Sequence, residues 1–308
     1  MESLFNALPG AVSQGLIWGV MAIGLYITYK ILELSDLTVD GSFCTGGAVC
    51  AMLMVAGWNV WAAMGVAFIV GMLTGWVTSF FHTKLGIPAI LSGILTQLGL
   101  WSVNLAIMGM KANQAMNVNK LDLLVSLRYL SAVSKGTKPF YMHPLITVGL
   151  FTVAIVAVLY WFFGTELGAS IRATGANANM ARAQGINTDR NKVLGLMISN
   201  GLVALSGALL AQFQGFADIN MGRGAIVIGL AAIIIGEVAF SKLFKNFALK
   251  LLAVSLGAII YYVVIQAVIS LLDINSNYLK LISAVIVAIF LAVPNLMPGF
   301  LKSEKKGR

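Results

Sequence analysis

Charge is what this chain has least of. Only 10% of its 308 residues are Asp, Glu, Lys or Arg, 59% are apolar, and the mean hydropathy is +0.91. A soluble chain of this length needs far more polar surface, so the composition excludes a water-soluble globular protein and points to a polytopic membrane protein. No hydrophilic block is long enough to fold as a domain of its own; the longest, 110–142, amounts to one loop. Cysteine is also scarce. Cys44 and Cys50 lie in or beside an apolar segment without metal-ligating neighbours, and they read as small packing residues rather than as a disulfide or a metal site. The only histidines, His82 and His143, flank apolar runs and read as boundary residues. Gly-Lys never occurs, which excludes a P-loop, and there is no His-Glu-x-x-His. The chain is therefore read as neither an enzyme nor the holder of a metal or cofactor. Its first residues lack the basic stretch and small-residue cleavage site of a removable signal peptide.

Long apolar runs dominate what is there: 11–29, 43–57, 59–81, 86–109, 144–163, 193–213, 224–240, 251–272 and 278–296. Most approach the ~20 residues a helix needs to cross a bilayer. The expected fold is all-α, a single transmembrane domain over 1–308 with about nine spans (roughly 8–10, since run ends are soft by several residues). Runs 43–57 and 224–240 are short, and each follows a charged residue and a Gly (Asp40-Gly41; Arg223-Gly224).

The net charge of +9 is distributed in the manner of membrane topology, not of nucleic-acid binding. With 165–192 on the cytoplasmic side, thirteen basic residues fall inside: Lys30, Lys84, Arg172, Arg182, Arg190, Lys192, Lys242, Lys245, Lys250, Lys302, Lys305, Lys306 and Arg308. Seven fall outside (Lys111, Lys120, Arg128, Lys135, Lys138, Arg223 and Lys280), five of them in the long 110–142 loop, which weighs little in this rule. Nine spans with a cytoplasmic C-terminus put the N-terminus outside. Runs one to four then begin and end outside, and runs six to nine begin and end inside. The two sets form inverted halves joined by run five, and each has its short run in second place, the arrangement that marks a transport pathway.

The polar stretch 166–190, between runs five and six, carries the most specific pattern. Leu167, Ile171 and Met180 recur at roughly helical spacing among small residues, with Arg172 and Arg182 elsewhere on the wheel, so a short amphipathic helix is expected under the membrane. Glu166, Gly168, Arg172, Ala173, Gly175 and Asn177, followed by Ala181, Gly185 and Ile186, resemble the cytoplasmic coupling loop of ABC-importer permeases of the branched-chain amino acid and ribose type. Leu37-Thr-Val-Asp-Gly-Ser-Phe43 and Gly86-Ile-Pro-Ala-Ile90 extend the resemblance over most of the chain. It implies a multi-pass permease of the cell membrane. Its partners would be a second permease copy, two ATPase subunits that carry ATP and Mg, and an extracellular substrate-binding protein. The first six of those loop residues would be the coupling contacts.

Polar residues inside apolar runs are candidates for the translocation path. Glu237, charged at membrane depth, would cost ~2.5–3.5 kcal/mol and so should face water or a partner group, or else pair at the inner interface with Lys242. Asp40 heads the second run; it and Ser42 either cap free N–H groups, or the segment lines the path with Phe43 and Thr45 near the substrate. Gln97, Trp101 and Asn104 share one helix face that meets either other helices or a cavity. The small residues of 201–211 suit close helix packing.

Three functions remain in play: an importer permease, an ion-coupled carrier using Glu237 or Asp40, and a passive channel. The coupling segment favours the first, since a carrier has no need of it. The resemblance, and a path with few fixed charges, suggest an amino acid as cargo, aromatic among the options; ribose or a nucleoside is the alternative.

Overall fold

The computed structural model describes residues 2–118, 120–134, 142–240, 244, 246–272 and 279–296. Lys135, Lys138, Lys242, Lys245 and the basic residues from 302 onward, counted above for orientation, lie outside the described residues, as does the side chain of Lys280. Each of the nine apolar runs is a helix: α1 (Glu2–Tyr26), α2 (Val39–Val55), α3 (Val60–Thr83), α4 (Ala89–Ile107), α6 (Pro144–Gly164), α9 (Thr188–Gln214), α10 (Ala225–Phe240), α11 (Phe247–Leu272) and α12 (Leu279–Leu296). Short helices α5 (Leu127–Ser134), α7 (Glu166–Ala176) and α8 (Ala178–Ala183) fill connections. Among the described residues, six segments are long and apolar enough to cross a membrane: 7–31, which is α1 with its π-helical last turn (Ile27–Ile31), and α3, α4, α6, α9 and α11. The chain is an all-α polytopic membrane protein, with one departure. Within the 110–142 loop, β1 (Asn113–Ala115) pairs antiparallel with β2 (Phe216–Asp218), Gln114 opposite Ala217.

Local sequence sets the helix ends. Asn59, His143 and Asn187 cap α3, α6 and α9, each side chain accepting a backbone N–H two or three residues on. Gly215, left-handed at φ 83°, closes α9.

The bundle is built around α1 and α9, and the outer helices turn large apolar groups outward: Trp61, Ile69 and Leu73 on α3, Leu91 and Leu98 on α4, Leu150 and Val158 on α6. Such a belt suits lipid, where apolar exposure costs nothing. Small residues bring the inner helices together. A Cβ on Gly46 would overlap the Ala204 carbonyl and one on Gly207 the Phe43 carbonyl, which locks α2 onto α9. The main contacts keep their pattern when α1 is exchanged for α9, α2 for α10 and α3 for α11: α1 packs on α11 as α9 packs on α3, and α2 on α3 as α10 on α11.

Helix α2 starts halfway through this bundle, because its first turn meets Asn200, near the midpoint of α9. The non-helical stretch before it therefore runs at depth, where every backbone polar group needs a protein partner. Leu34 N–H donates to the Thr28 carbonyl at 2.9 Å, and Thr38 N–H to Asp36 Oδ1 at 2.9 Å. Gly93 of α4 makes room, since a Cβ there would press on the Leu37 and Thr38 backbone.

Candidate functional site

A hydroxyl and amide network anchors the start of α2. The fully buried Asn200 donates through Nδ2 to Asp36 Oδ2 at 2.7 Å and accepts at Oδ1 from Ser42 Oγ at 2.6 Å. Ser42 also bonds Thr74 at 2.7 Å, and Thr38 bonds Thr78 at 2.6 Å, which donates on to Thr96 at 2.9 Å. Ser42 is thus a strut between α2, α3 and α9. Phe43 is fully buried and stacks on Trp18 with centroids 4.8 Å apart, while Thr45 returns its hydroxyl to the Gly41 carbonyl at 2.9 Å.

Asp40 does cap a helix, but a different one from its own. Its two carboxylate oxygens accept the N–H groups of Gly224 and Ile226, each at 3.0 Å, at the start of α10. Gly222 allows this approach, as a Cβ on it would strike the Asp40 carbonyl. The amino ends of the two short helices therefore meet inside the bundle.

Beside that junction lies a cavity of about 270 Å³, lined by Asp40, Gly41, Cys44, Gln97, Leu98, Trp101, Asn104, Ile219 and Arg223. Four of the polar-path candidates, Asp40, Gln97, Trp101 and Asn104, come together here; Ser42, Phe43, Thr45 and Glu237 are not among the lining residues. Glu237 forms a partly exposed ion pair with Lys30 at 3.1 Å, tying the end of α10 to the π-helical turn after α1. Lys242, the partner considered from sequence, is outside the described residues. Arg223 and Cys44 were missed as cavity residues because sequence offered only a topology charge and a packing thiol. Asp36 and Asn200 were missed too, although an Asn in the middle of an apolar run was a visible signal. Cys44 and Cys50 are buried and free, and no group of three His, Cys, Asp or Glu among the described residues could hold a metal.

The 166–190 segment departs from the single amphipathic helix expected. Asn177, extended at φ −159°, ends α7 and starts α8, its Oδ1 accepting Met180 N–H at 3.0 Å. A side chain that caps the next helix breaks the periodicity on which the expectation rested. Ile171 is fully buried, but Leu167 and Met180 are 47% and 54% exposed and do not continue its face. The glycines turn inward. A Cβ on Gly168 would overlap the Phe162–Phe163 backbone, and one on Gly175 the Ile31 carbonyl. Ala173 is half-buried; Glu166, Arg172 and Asn177 are exposed, Arg172 with its guanidinium 5.9 Å from the Phe247 ring centre. Asn191 ties the segment to α9 by donating to Thr174 Oγ1 at 2.8 Å. His82 and Lys192 meet at this end of the bundle, at 3.3 Å.

Comparison with known proteins agrees with this architecture. The chain is 38% identical over 301 residues to a tyrosine transport system permease of Clostridioides difficile, covering 98% of this chain and 96% of that one. An autoinducer 2 import system permease of Yersinia pestis is 28% identical over 222 residues, 71% of this chain and 59% of its own length. A solved chain described as being of metal-chelate ABC-transporter type, in an inward-facing conformation, superposes with TM-score 0.50 at 15% identity, over 93% of this chain and 84% of that one, and so shares the fold. Residues 8–293 match the family described as the permease component of the branched-chain amino acid transport system, and the chain belongs to that family of ABC-transporter membrane proteins.

Proposed function

We propose that this chain is the membrane-spanning subunit of an ATP-driven importer that moves an amino acid, with an aromatic one favoured, into the cell. The chain works as a homodimer with two separate ATPase subunits, which bind ATP and Mg, and with an extracellular binding protein that delivers the cargo. Its nine apolar segments cross the membrane as two inverted halves, with α2 and α10 each beginning partway through. The 165–192 segment faces the cytoplasm together with the C-terminus, and the 110–142 loop faces outside.

The observation that carries this reading is the mounting of α7. Gly168 and Gly175 seat it directly on the backbone at the ends of α6 and α1, while its outer face stays exposed. A push on that face moves two helices without slack, as coupling to a partner's closure requires. Glu166, Arg172, Ala173 and Asn177 belong to the pressed surface, and Gly168 and Gly175 to the seating. The cavity beside the α2–α10 junction, with Asp40, Gln97, Trp101 and Asn104, lies on the path. Ser42, Phe43 and Thr45 hold the helix that shapes it, and Glu237 closes its inner end against Lys30. The likeness to a tyrosine permease over nearly the whole chain supports the choice of cargo.

Two measurements test the proposal. Ala173→Trp in the reconstituted complex should leave insertion intact and separate ATP hydrolysis from uptake; full uptake by a well-expressed variant removes α7 as the coupling element. Ligand screening of the binding protein encoded beside this gene should find an aromatic amino acid, and tight binding of a pentose with no response to amino acids refutes the cargo.

A further inference from the structure

We propose that the cavity between α2, α4 and the 219–223 turn is a weak binding site for the free amino acid within the permease, where Arg223 holds the carboxylate, Asn104 with Gln97 the ammonium, and Trp101 the aromatic side chain. It rests on the importer reading above and adds to it a selective step after the binding protein has let go.

Three independent features converge there. Asn104 is 1% exposed, its amide bonds the Gly41 carbonyl at a long 3.4 Å and the Cys44 side chain, and its Oδ1 has no partner. Buried amide oxygens are seldom left so, and an unsatisfied one beside a cavity marks a bond that something outside the protein completes. Arg223 is exposed and pairs with no carboxylate, since the two ion pairs among the described residues lie elsewhere. The acids around it are engaged. Both Asp40 oxygens hold α10 N–H groups, Asp218 Oδ1 accepts Asn220 N–H at 2.8 Å, and Asp218 Oδ2 accepts from Asn113 at 3.4 Å. A guanidinium free of acids is a fork for a planar carboxylate. Trp101, 46% exposed on the same helix face as Gln97 and Asn104, offers a flat ring for stacking.

Chemistry then selects the ligand. The cavity lining combines a donor fork, an acceptor amide and an indole, within about 270 Å³. That is near the low end of the ~300–1,000 Å³ typical of small-molecule pockets. A pentose has no carboxylate for Arg223, and a free anion leaves Asn104 Oδ1 unmatched. An aromatic zwitterion meets all three features. Asp40 positions the arrangement by fixing Gly224, next to Arg223, and is not itself a ligand group.

The test uses the assembled importer in lipid nanodiscs without its binding protein, read by saturation-transfer NMR. The probes are L-tyrosine, tyramine, which lacks the carboxylate, and 3-(4-hydroxyphenyl)propionate, which lacks the amine. L-tyrosine should give the strongest transfer. Arg223→Gln should weaken it about tenfold, the loss of one charge-assisted bond, and bring tyrosine down to the level of tyramine; Arg223→Lys should recover part of it. Asn104→Leu should instead level tyrosine with the propionate. Equal signals from all three probes, no signal from L-tyrosine, or equal losses for every probe in both variants overturn the site. Radiolabelled tyrosine uptake by the complex with its binding protein is measured in parallel. Normal uptake with no saturation transfer removes this site and leaves the importer standing, whereas uptake of a pentose alone removes both.

Discussion

Asp40 offers the sharpest way to separate a structural carboxylate from a transport group. Its two oxygens receive the Gly224 and Ile226 N–H groups at 3.0 Å each, so the acid of one half of the chain caps the short helix of the other. Asp40→Ala removes both acceptors. Loss of an N-cap costs ~0.5–2 kcal/mol in soluble hosts, and losing an anion at a helix amino end adds ~0.3–1 kcal/mol. Interhelical bonds inside membranes average only ~0.6 kcal/mol. Here the capped turn adjoins a cavity and the exposed Arg223, so water can take over part of the Gly224 bond. The expected loss is therefore about 2 kcal/mol, at the upper side of a single cap and below the sum of two charged bonds. Asp40→Asn keeps one acceptor oxygen in the same place and should cost about half of that.

Denaturant titration of the purified protein, followed by circular dichroism, gives the two stabilities, and uptake in proteoliposomes gives the function. The expected order is wild type, Asn, Ala in both assays, with the Asn variant keeping most of its uptake. If Asp40 instead carried an ion or proton along the path, Asn would fail as completely as Ala in uptake while remaining the more stable protein. That result would give Asp40 a transport role beyond its cap and revive the ion-coupled carrier.

Other expectations follow from the same contacts. Asn200→Leu strips one bond from the buried Asp36 carboxyl and one from Ser42, and should destabilise by roughly 2–4 kcal/mol; the swap Asp36→Asn with Asn200→Asp should recover much of it in the same titration, and a loss no larger than that of Ser42→Ala would count against the Asn200–Asp36 bond as the anchor of this turn. Gly175→Val forces Ile31 away and should lower both coupling and thermal stability, unlike Ala173→Trp, which should lower coupling alone; equal melting temperatures for Gly175→Val and wild type would show the seating to be slack. Glu237→Gln breaks a pair whose side chains are 34% and 47% exposed, worth no more than about 1 kcal/mol, so the folding equilibrium and uptake should change less than about fivefold; abolished uptake would show that Glu237 does more than close the inner end against Lys30.

Sequence made the helices legible and left their meeting points obscure, for a physical reason. A span announces itself through some twenty consecutive apolar residues, and all nine runs became helices with ends shifted by five residues or fewer, save α1, which starts nine residues before its run. Contacts between distant segments leave no such local trace. Asp40 looked like the cap of its own helix because the N-cap rule is local, whereas the N–H groups it serves lie more than 180 residues away. Gln97, Trp101 and Asn104 could be put on one face by spacing alone, but only the fold says that the face meets a cavity, and that Arg223 closes it from the other half. The coupling segment reads in part the same way. Its small residues were visible, but whether Gly168 and Gly175 looked outward to a partner or inward to Phe162 and Ile31 depended on the docking of α7.

The α2–α10 junction explains why the charged and Gly-rich turns sit before the two short runs rather than elsewhere. A helix that begins at depth exposes unsatisfied N–H groups where no lipid can bond them, so the chain must supply an acceptor and the space to bring it close. For α10 the acceptor is Asp40 and the space is Gly222. For α2 the acceptor is Asp36, which takes the Thr38 N–H and is held in turn by Asn200, and the space comes from Gly93. The cost of starting a helix in mid-bundle is met twice with the same two ingredients, a short acid and a missing side chain. Since Asp40 of the first half satisfies α10 of the second, any motion that separates them must first find new partners for the Gly224 and Ile226 N–H groups. Water admitted through the neighbouring cavity can serve, so wetting of the path and parting of the halves are expected to be one event. Hydrogen exchange measures it directly: the Gly224 and Ile226 amides should lose protection in the ATP-bound importer and keep it at rest, and unchanged protection through the cycle would show that the junction moves as a rigid block.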